Sequence, residues 1–285
     1  MKLTVHLLNA FAKTAEGGNP AGVALDAASL SDAQMQEAAR LVGVSETAFI
    51  LPSDKASVRT RFFTPVAEVP LCGHATVAAF HFLYKKGRLP SGRCSQETAS
   101  GVLGVEIQSD ATVFMKQRNP EFSEVLAQAE VCAALKISDD ALDATLPVQI
   151  VSTGLRDILV PVKNLEALFS IKPDLRLVAE LCRKYGAVSF HPFTFETENS
   201  STAHCRDFAP LYGVDEESAT GTASGALACY LDRHGCLSGK DRSALVFEQG
   251  YSMGRPSEIL ARLEKDGSVW VGGKALLAKT LELEI

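Results

Sequence analysis

An internal repeat constrains this chain more than any other feature. A shift of 148 positions (221 less 73) lays Gly73 on Gly221, Ala75 on Ala223, Ala78 on Ala226, Leu83 on Leu231, Gly87 on Gly235 and Leu89 on Leu237. Upstream, Arg61-Phe62-Phe63-Thr64-Pro65 matches Arg206-Asp207-Phe208-Ala209-Pro210, and Gly43-Val44-Ser45-Glu46-Thr47-Ala48-Phe49 resembles Tyr185-Gly186-Ala187-Val188-Ser189-Phe190. Isolated identities arise by chance, but the same order over several elements marks a duplication. A period this long gives paired domains rather than a solenoid. The expected organisation is therefore residues 1–118 as one αβ domain, 119–275 as a second, and a C-terminal strand, 276–285, returning to the first. Asn119-Pro120 is the expected linker.

Each copy carries one helix that is apolar nearly all round, at 73–87 and at 221–235, and such a helix is a buried central one. Around it the pattern reads as strands at 21–25, 46–51, 57–63, 102–108 and 111–116 in the first copy. The second copy reads as strands at 149–152, 157–162, 187–190 and 193–196, with closing strands near 258–263, 269–271 and 276–284. A helix capped by Ser31 carries Met35, Ala38, Ala39 and Val42 on its apolar face and stops at Gly43. Its counterpart runs from about 175 to 185 and stops at Gly186. The fold class expected is α+β.

With 285 residues, 46% of them hydrophobic, the chain buries two cores without metals or disulfides. Its net charge of −6 and the lack of a clustered basic stretch argue against a nucleic-acid or anionic membrane partner. No apolar run approaches the ~18 residues of a membrane span. The seven cysteines are an odd, scattered number without a CxxC pair, so they read as reduced thiols of a cytoplasmic protein. HExxH, DxDxDG, GxSxG and nucleotide-cradle motifs are absent. Neither a metal nor a cofactor is expected.

Both central helices begin at a glycine, Gly73 and Gly221, after a turn-rich segment. The first N–H groups of a helix lack internal partners and carry the positive end of the macrodipole. A pair of such starts suits a carboxylate, or an enolate forming on one. Glu46, at the head of an apolar strand, would have its pKa raised toward neutrality by desolvation, which suits a proton shuttle. At the helix start the dipole disfavours a cationic His74, so a neutral imidazole is expected. Asp215-Glu216-Glu217 is an acidic run before the second helix, which charge–dipole stabilisation alone would explain. Cys72 matches Thr220, so a symmetric two-thiol racemase is not supported.

Taken together, Gly18-Asn19-Pro20-Ala21-Gly22-Val23, Ser45-Glu46-Thr47-Ala48-Phe49, Arg61–Pro65, Glu68-Val69-Pro70-Leu71-Cys72-Gly73-His74-Ala75-Thr76, Ala219-Thr220-Gly221 and the Gln249–Ser257 loop resemble the PhzF-like phenazine biosynthesis isomerases. That resemblance spans nearly the whole chain. It implies the diaminopimelate epimerase-like fold, with two pseudo-symmetric domains, each a curved, mostly antiparallel sheet round a central helix, and the active site in the cleft between them. It implies catalytic roles for Glu46, His74 and Glu217, and substrate contacts from Asn19, Ser45, Gly73, Gly221 and Thr222. Glu217 stands where the family has aspartate and Thr222 where it has serine. The implied activity is a cofactor-independent proton shift on a small carboxylate-bearing metabolite, with a homodimer as the expected assembly. An epimerase using two bases, Cys72 or Glu46 against Glu217, and a silent ligand-binding homologue are the alternatives.

Overall fold

The computed structural model describes residues 2–285. The chain divides into two compact units, Met1–Lys116 with Gly272–Ile285, and Gln117–Val271.

In the first unit, β1 (Lys2–Ala10) pairs antiparallel with β2 (Asn19–Ala24). A parallel neighbour needs a crossover, and α1 (Asp32–Val42) supplies it before β3 (Glu46–Leu51) pairs parallel with β2. The helix begins in a capping box, with Ser31 Oγ accepting from Gln34 N and Gln34 Oε1 accepting from Ser31 N, and it ends at Gly43 at φ 71°. Its apolar face, Met35, Ala38 and Ala39, packs with Leu3, Val5, Phe49 and Phe63. Strand β4 (Val58–Phe63) pairs antiparallel with β3, and the short β5 (Glu68–Val69) folds back on β4. Then α2 (Gly73–Lys85) runs through the unit, buried from His74 to Leu83 without a break. It packs against β1, β2, β3, β7 (Gly101–Ile107) and β8 (Val113–Lys116). A helix touched by strands all round requires a sheet that curves about it. Burial of Val77, Phe80, Phe82 and Leu83 supplies about 1.5–3 kcal/mol per side chain. Strand β6 (Gly92–Thr98) pairs parallel with β4 and antiparallel with β7.

The second unit repeats this path with an added entry. Strand β9 (Glu121–Val125) and α3 (Gln128–Leu135) come first, and β9 pairs with β10 (Gln149–Ser152). Next, β10 pairs antiparallel with β11 (Arg156–Pro161); α4 (Leu165–Ser170) and α5 (Leu175–Tyr185) cross over; β12 (Ser189–Thr194) returns parallel to β11. Antiparallel β13 (Ala203–Cys205), the buried helix α6 (Gly221–Arg233), parallel β14 (Leu245–Gln249) and antiparallel β15 (Ser257–Leu263) follow in the order of β4, α2, β6 and β7. Strand β16 (Val269–Gly273) leads out, and β17 (Ala275–Glu284) lies antiparallel along the whole of β1. The helix α6 sits especially close to its surroundings. A Cβ on Gly225 would lie 2.8 Å from Val271 Cγ2, whereas the matched position in α2 is Val77.

The two strands expected at 187–190 and 193–196 are one strand, β12, running through Pro192. The proline carbonyl accepts from Arg206 N, so its missing N–H points to the β13 side, where ladder pairing begins only at Phe193–Cys205. The fold is the expected α+β one, with antiparallel pairs outnumbering the parallel ones in each unit. All seven cysteines are free, and no helix among the described residues is long and apolar enough to cross a membrane.

Candidate active site

The first unit gathers its chemistry at one end of the parallel pair β2–β3. Asn19 opens β2, Glu46 opens β3 opposite Ala21, and Ser45 Oγ reaches Pro20 O at 3.5 Å. The strands approach closely because Gly22 faces Thr47, where a Cβ would lie 2.6 Å from Thr47 Oγ1. The start of α2 meets this strand end. His74 Nε2 lies 3.2 Å from Glu46 Oε2 and 3.3 Å from Ser45 Oγ, and Cys72 Sγ lies 3.4 Å from His74 Nδ1. Cys72 and His74 are buried, and Glu46 is largely so. Glu46 Oε2 is shut off from solvent, and its contact with His74 Nε2 falls short of a well-aligned hydrogen bond. No side chain caps α2; the Cys72 sulfur faces Ala75 N but falls short of a capping hydrogen bond. A Cβ on Gly73 would meet nothing within 4 Å, so the backbone there is open to close approach.

The charge states differ from those expected. Burial pushes the Glu46 pKa up, but the His74 contact, with help from Ser45 and Cys72, outweighs it and leaves the carboxyl below the usual glutamate value. Burial likewise pushes the His74 imidazole down, yet the Cys72 sulfur and the Glu46 carboxylate carry it well above the usual histidine value. Burial, with Glu46 adding to it, holds the Cys72 thiol above its usual value against the pull of His74. The sequence expectation of a glutamate raised toward neutrality and a neutral histidine is thus reversed. The shifts run toward a Glu46 carboxylate beside a protonated His74, because buried neighbours that favour each other's charged form outweigh both burial and the helix dipole.

In the second unit the repeat separates two adjacent carboxylates. Arg61 Nε and Nη2 donate to Glu68 Oε1 and Oε2, and Arg206 Nε and Nη2 donate to Glu216 Oε1 and Oε2 in the same way. Glu68 and Glu216 fall on each other in the 148-position shift. Glu216 is therefore the structural carboxylate of the acidic run, a staple common to both units. Glu217 has no acidic counterpart, since Val69 occupies that place in the first unit. Its backbone is fixed from two sides, with Glu217 N donating to Asp207 O at 2.9 Å and Gln249 Nε2 donating to Glu217 O at 2.8 Å. Thr220 Oγ1 donates to Glu217 Oε2 at 3.4 Å. Gly221 starts α6 without a side-chain cap, and Thr222 is half-buried in the first turn, its carbonyl accepting from Thr153 Oγ1.

Residue by residue, the structure brings Ser45, Glu46 and His74 into contact, with Asn19 at the same strand end and Gly73 at the adjoining helix start. Glu217, Gly221 and Thr222 lie together at the start of α6. The sequence reading missed Gln249, whose fully buried amide donates to Glu217 O and Thr220 Oγ1 and accepts from Thr220 N. The signal was the Gln249-Gly250 pair. Gly250 sits at φ 81°, and a Cβ there would lie 2.6 Å from Ser218 O, so only glycine lets this loop close on the turn. Also missed was the polar cluster at the place equivalent to Glu46. Ser189 Oγ donates to Asp157 Oδ1 at 2.9 Å and reaches Asp207 Oδ1 at 2.8 Å, and His191 Nδ1 meets Asp207 Oδ1 at 2.9 Å, all fully buried.

The chain is thus a duplicated α+β unit in which one copy sets a carboxylate–imidazole pair at an uncapped helix start. The phenazine biosynthesis-like protein family model, PhzC-PhzF, matches residues 8–280, and the chain belongs to that family. It is 36% identical to the uncharacterized isomerase YfhB of Bacillus subtilis, over 97% of each chain. It is 33% identical to the trans-2,3-dihydro-3-hydroxyanthranilate isomerase of Pseudomonas chlororaphis, over 90% of this chain and 89% of that one. A crystal structure of a PhzF-family phenazine biosynthesis protein from Bacillus anthracis superposes over all of both chains with a TM-score of 0.91 and 30% identity. The chain is an isomerase with the diaminopimelate epimerase-like fold.

Proposed function

We propose that this isomerase moves a proton within a small carboxylate-bearing substrate, with Glu46 as the acid/base residue and no cofactor. The observation that carries the reading is the Glu46–His74 pair, 3.2 Å apart at the uncapped start of α2. The Glu46 carboxylate takes a proton from an acidic C–H, leaving a dienolate-like anion. It returns the same proton to another carbon of the same molecule, so the net reaction is a shift of unsaturation. The lowered pKa of Glu46 suits the return step, because a stronger conjugate acid gives its proton up readily. The neighbouring imidazolium of His74 opposes the negative charge that develops on the substrate. The exposed N–H groups at Gly73 are assigned to the substrate carboxylate.

In the same reading Asn19 and Ser45 orient the substrate, Gly221 and Thr222 are substrate-contact residues, and Glu217 relays a proton. The Pseudomonas relative is named for action on a dihydro-hydroxyanthranilate. Glu217 and Thr222 in place of the family's aspartate and serine each change the site by about one carbon, so a different carboxylate is proposed here. A homodimer belongs to the same proposal and is read by sedimentation.

The test incubates the enzyme in heavy water with unsaturated and amino-substituted carboxylates and follows deuterium uptake. Glu46→Gln keeps the side-chain shape, should leave ligand binding in place and should abolish exchange. Exchange that survives the substitution overturns the assignment. Inversion of a stereocentre, with unsaturation unmoved, selects the two-base epimerase instead.

A further inference from the structure

The group that holds the acid/base pair also has the composition of a zinc site. One oxygen of Glu46, the Cys72 sulfur and one ring nitrogen of His74 all lie within 4.8 Å of one another. Zinc takes carboxylate, imidazole and thiolate ligands in tetrahedral arrangement, with bonds of about 2.0–2.1 Å to nitrogen or oxygen and about 2.3 Å to sulfur. Those bonds put tetrahedral edges at about 3.3 Å between nitrogen and oxygen, and about 3.6 Å between nitrogen and sulfur. The observed edges from His74 Nε2 are 3.2 Å to Glu46 Oε2 and 3.8 Å to Cys72 Sγ. Two of the three edges match those of one tetrahedral ion, and the third, between the Glu46 oxygen and the Cys72 sulfur, is within 4.8 Å.

Two further observations point the same way. Glu46 Oε2 is buried and met by His74 Nε2 at 3.2 Å short of a well-aligned hydrogen bond, so an ion taken up between these two atoms replaces an ion-pair contact. The three donors also come from secondary structure rather than from a mobile loop: Glu46 is the first residue of β3, and Cys72 and His74 flank Gly73 at the start of α2. The helix dipole opposes a cation there but favours a thiolate at the N-cap. With Glu46 and Cys72 both anionic, one divalent ion leaves the group electrically neutral.

We propose that Glu46, Cys72 and His74 bind one zinc ion per chain, reversibly, and that the ion blocks the enzyme by occupying its base. The binding stands apart from the proton-shift reading; the block rests on it, since it takes Glu46 as the base. Binding forms one bond each to oxygen, nitrogen and sulfur and releases the Cys72 thiol proton and the His74 imidazolium proton to solvent, with no change of oxidation state. The fourth position stays open to water.

The test uses the full chain after chelator treatment, titrated with zinc chloride against a chromophoric chelator, and with cobalt(II) as the optical probe. One equivalent should bind, and cobalt should give a near-ultraviolet thiolate charge-transfer band. Cys72→Ser should lose the band, and both it and Glu46→Gln should lose more than the roughly tenfold in affinity that removal of even an outer-shell partner costs. Cys236→Ser, which alters a partly exposed thiol, should keep both the band and the affinity. Circular dichroism checks that each variant is folded; if Cys72→Ser is not, Glu46→Gln carries the test. Absence of saturable binding overturns the proposal, as does binding unchanged in Cys72→Ser and Glu46→Gln, or a band that follows Cys236. The readout is metal binding, so a failed Glu46 assignment in the exchange assay leaves this result separate.

Discussion

Replacing Arg206 with methionine isolates the staple that holds the acidic run of the second unit. Arg206 donates to both Glu216 oxygens at 2.8 Å, to Leu168 O at 3.1 Å and to Ile171 O at 2.9 Å, and its guanidinium stacks 4.7 Å from the Phe208 ring. The side chains of Arg206 and Glu216 are only 8% and 18% exposed, so solvent does little to screen the pair. Methionine keeps much of the volume but none of the donors. Glu216 is then left with Ser252 Oγ at 2.6 Å, and two carbonyls lose the guanidinium. Breaking a buried pair by removing one partner costs about 3–5 kcal/mol. Each carbonyl left without a donor costs about 1 kcal/mol or more, part of which that range already includes. A net loss of about 4 kcal/mol in a unit of this size lowers its melting midpoint by about 8–16 °C. The single tryptophan, Trp270, is buried in this same unit, so its fluorescence reports the melting of that unit alone. A double-mutant cycle with Glu216→Gln completes the argument. Removing the orphaned charge should make Arg206→Met/Glu216→Gln no less stable than Arg206→Met. A loss below about 1 kcal/mol, the value of a solvent-screened surface pair, would refute the reasoning.

Three other outcomes follow from the same structure. Burial, with Asp207 and Glu217 adding to it, raises the Asp157 pKa well above 3.8, so the folded state holds a proton that the unfolded chain has lost. That contribution to stability is complete below the unfolded value and is lost as pH rises through the folded one. Urea titrations at pH 4 to 8 should therefore show Asp157→Asn gaining on the parent as pH rises; parallel curves would contradict this. Gly250→Ala places a Cβ 2.3 Å from Arg255 O at φ 81° and should cost more than about 2 kcal/mol, whereas Gly73→Ala meets nothing and should fold normally while slowing exchange. Equal stability losses would remove the distinction. Exchange rate against pH should show an acid limb below the ordinary glutamate value of 4.5 and an alkaline limb above the ordinary histidine value of 6.5. An acid limb near pH 6 would mean that Glu46 is not held down by His74.

The duplication, the two buried helices and the caps of α1 were legible because each has a local cause. Ser31 and Gly43 mark their ends with side-chain and backbone chemistry that a short window contains, and an unbroken apolar run means burial whatever surrounds it. Strand β6 was illegible for the opposite reason. Its inward residues include Gln96, which is fully buried only because Thr76 on α2 exchanges hydrogen bonds with it. No window around Gln96 contains its partner. Helix α3 and helix α4 are short and were passed over, since brief apolar runs carry little periodicity. The expected site residues can be placed, with Ser45, Glu46 and His74 in contact, but the direction of their pKa shifts was not legible. Desolvation and the helix dipole can be read from one segment, whereas the Glu46–His74 pairing joins β3 to α2 and exists only in the folded chain.

The repeat also bears on why the proposed base lies in one half of the chain. Corresponding positions share the framework and differ where chemistry is exposed. Glu68 and Glu216 are both clamped by arginine, but the next residue is Val69 in one copy and Glu217 in the other. Glu46 opens β3 with a carboxylate against His74, while Ser189 opens β12 inside a closed cluster with Asp157, Asp207 and His191. The second unit has its own carboxylates near that strand start, but it buries them and ties them to one another. Burial and its acidic neighbours raise the Asp157 pKa, and Ser189 links it inward, so it is withdrawn from proton transfer with a ligand. If that closure is what keeps the second unit from acting as a base, opening it should not create one. Ser189→Glu would bring a third carboxyl against Asp157 and Asp207, and the like-charge cost should appear as lost stability in the Trp270 melt with no gain in exchange. A stable Ser189→Glu variant with faster exchange would show instead that the asymmetry rests on the residue at the strand start alone.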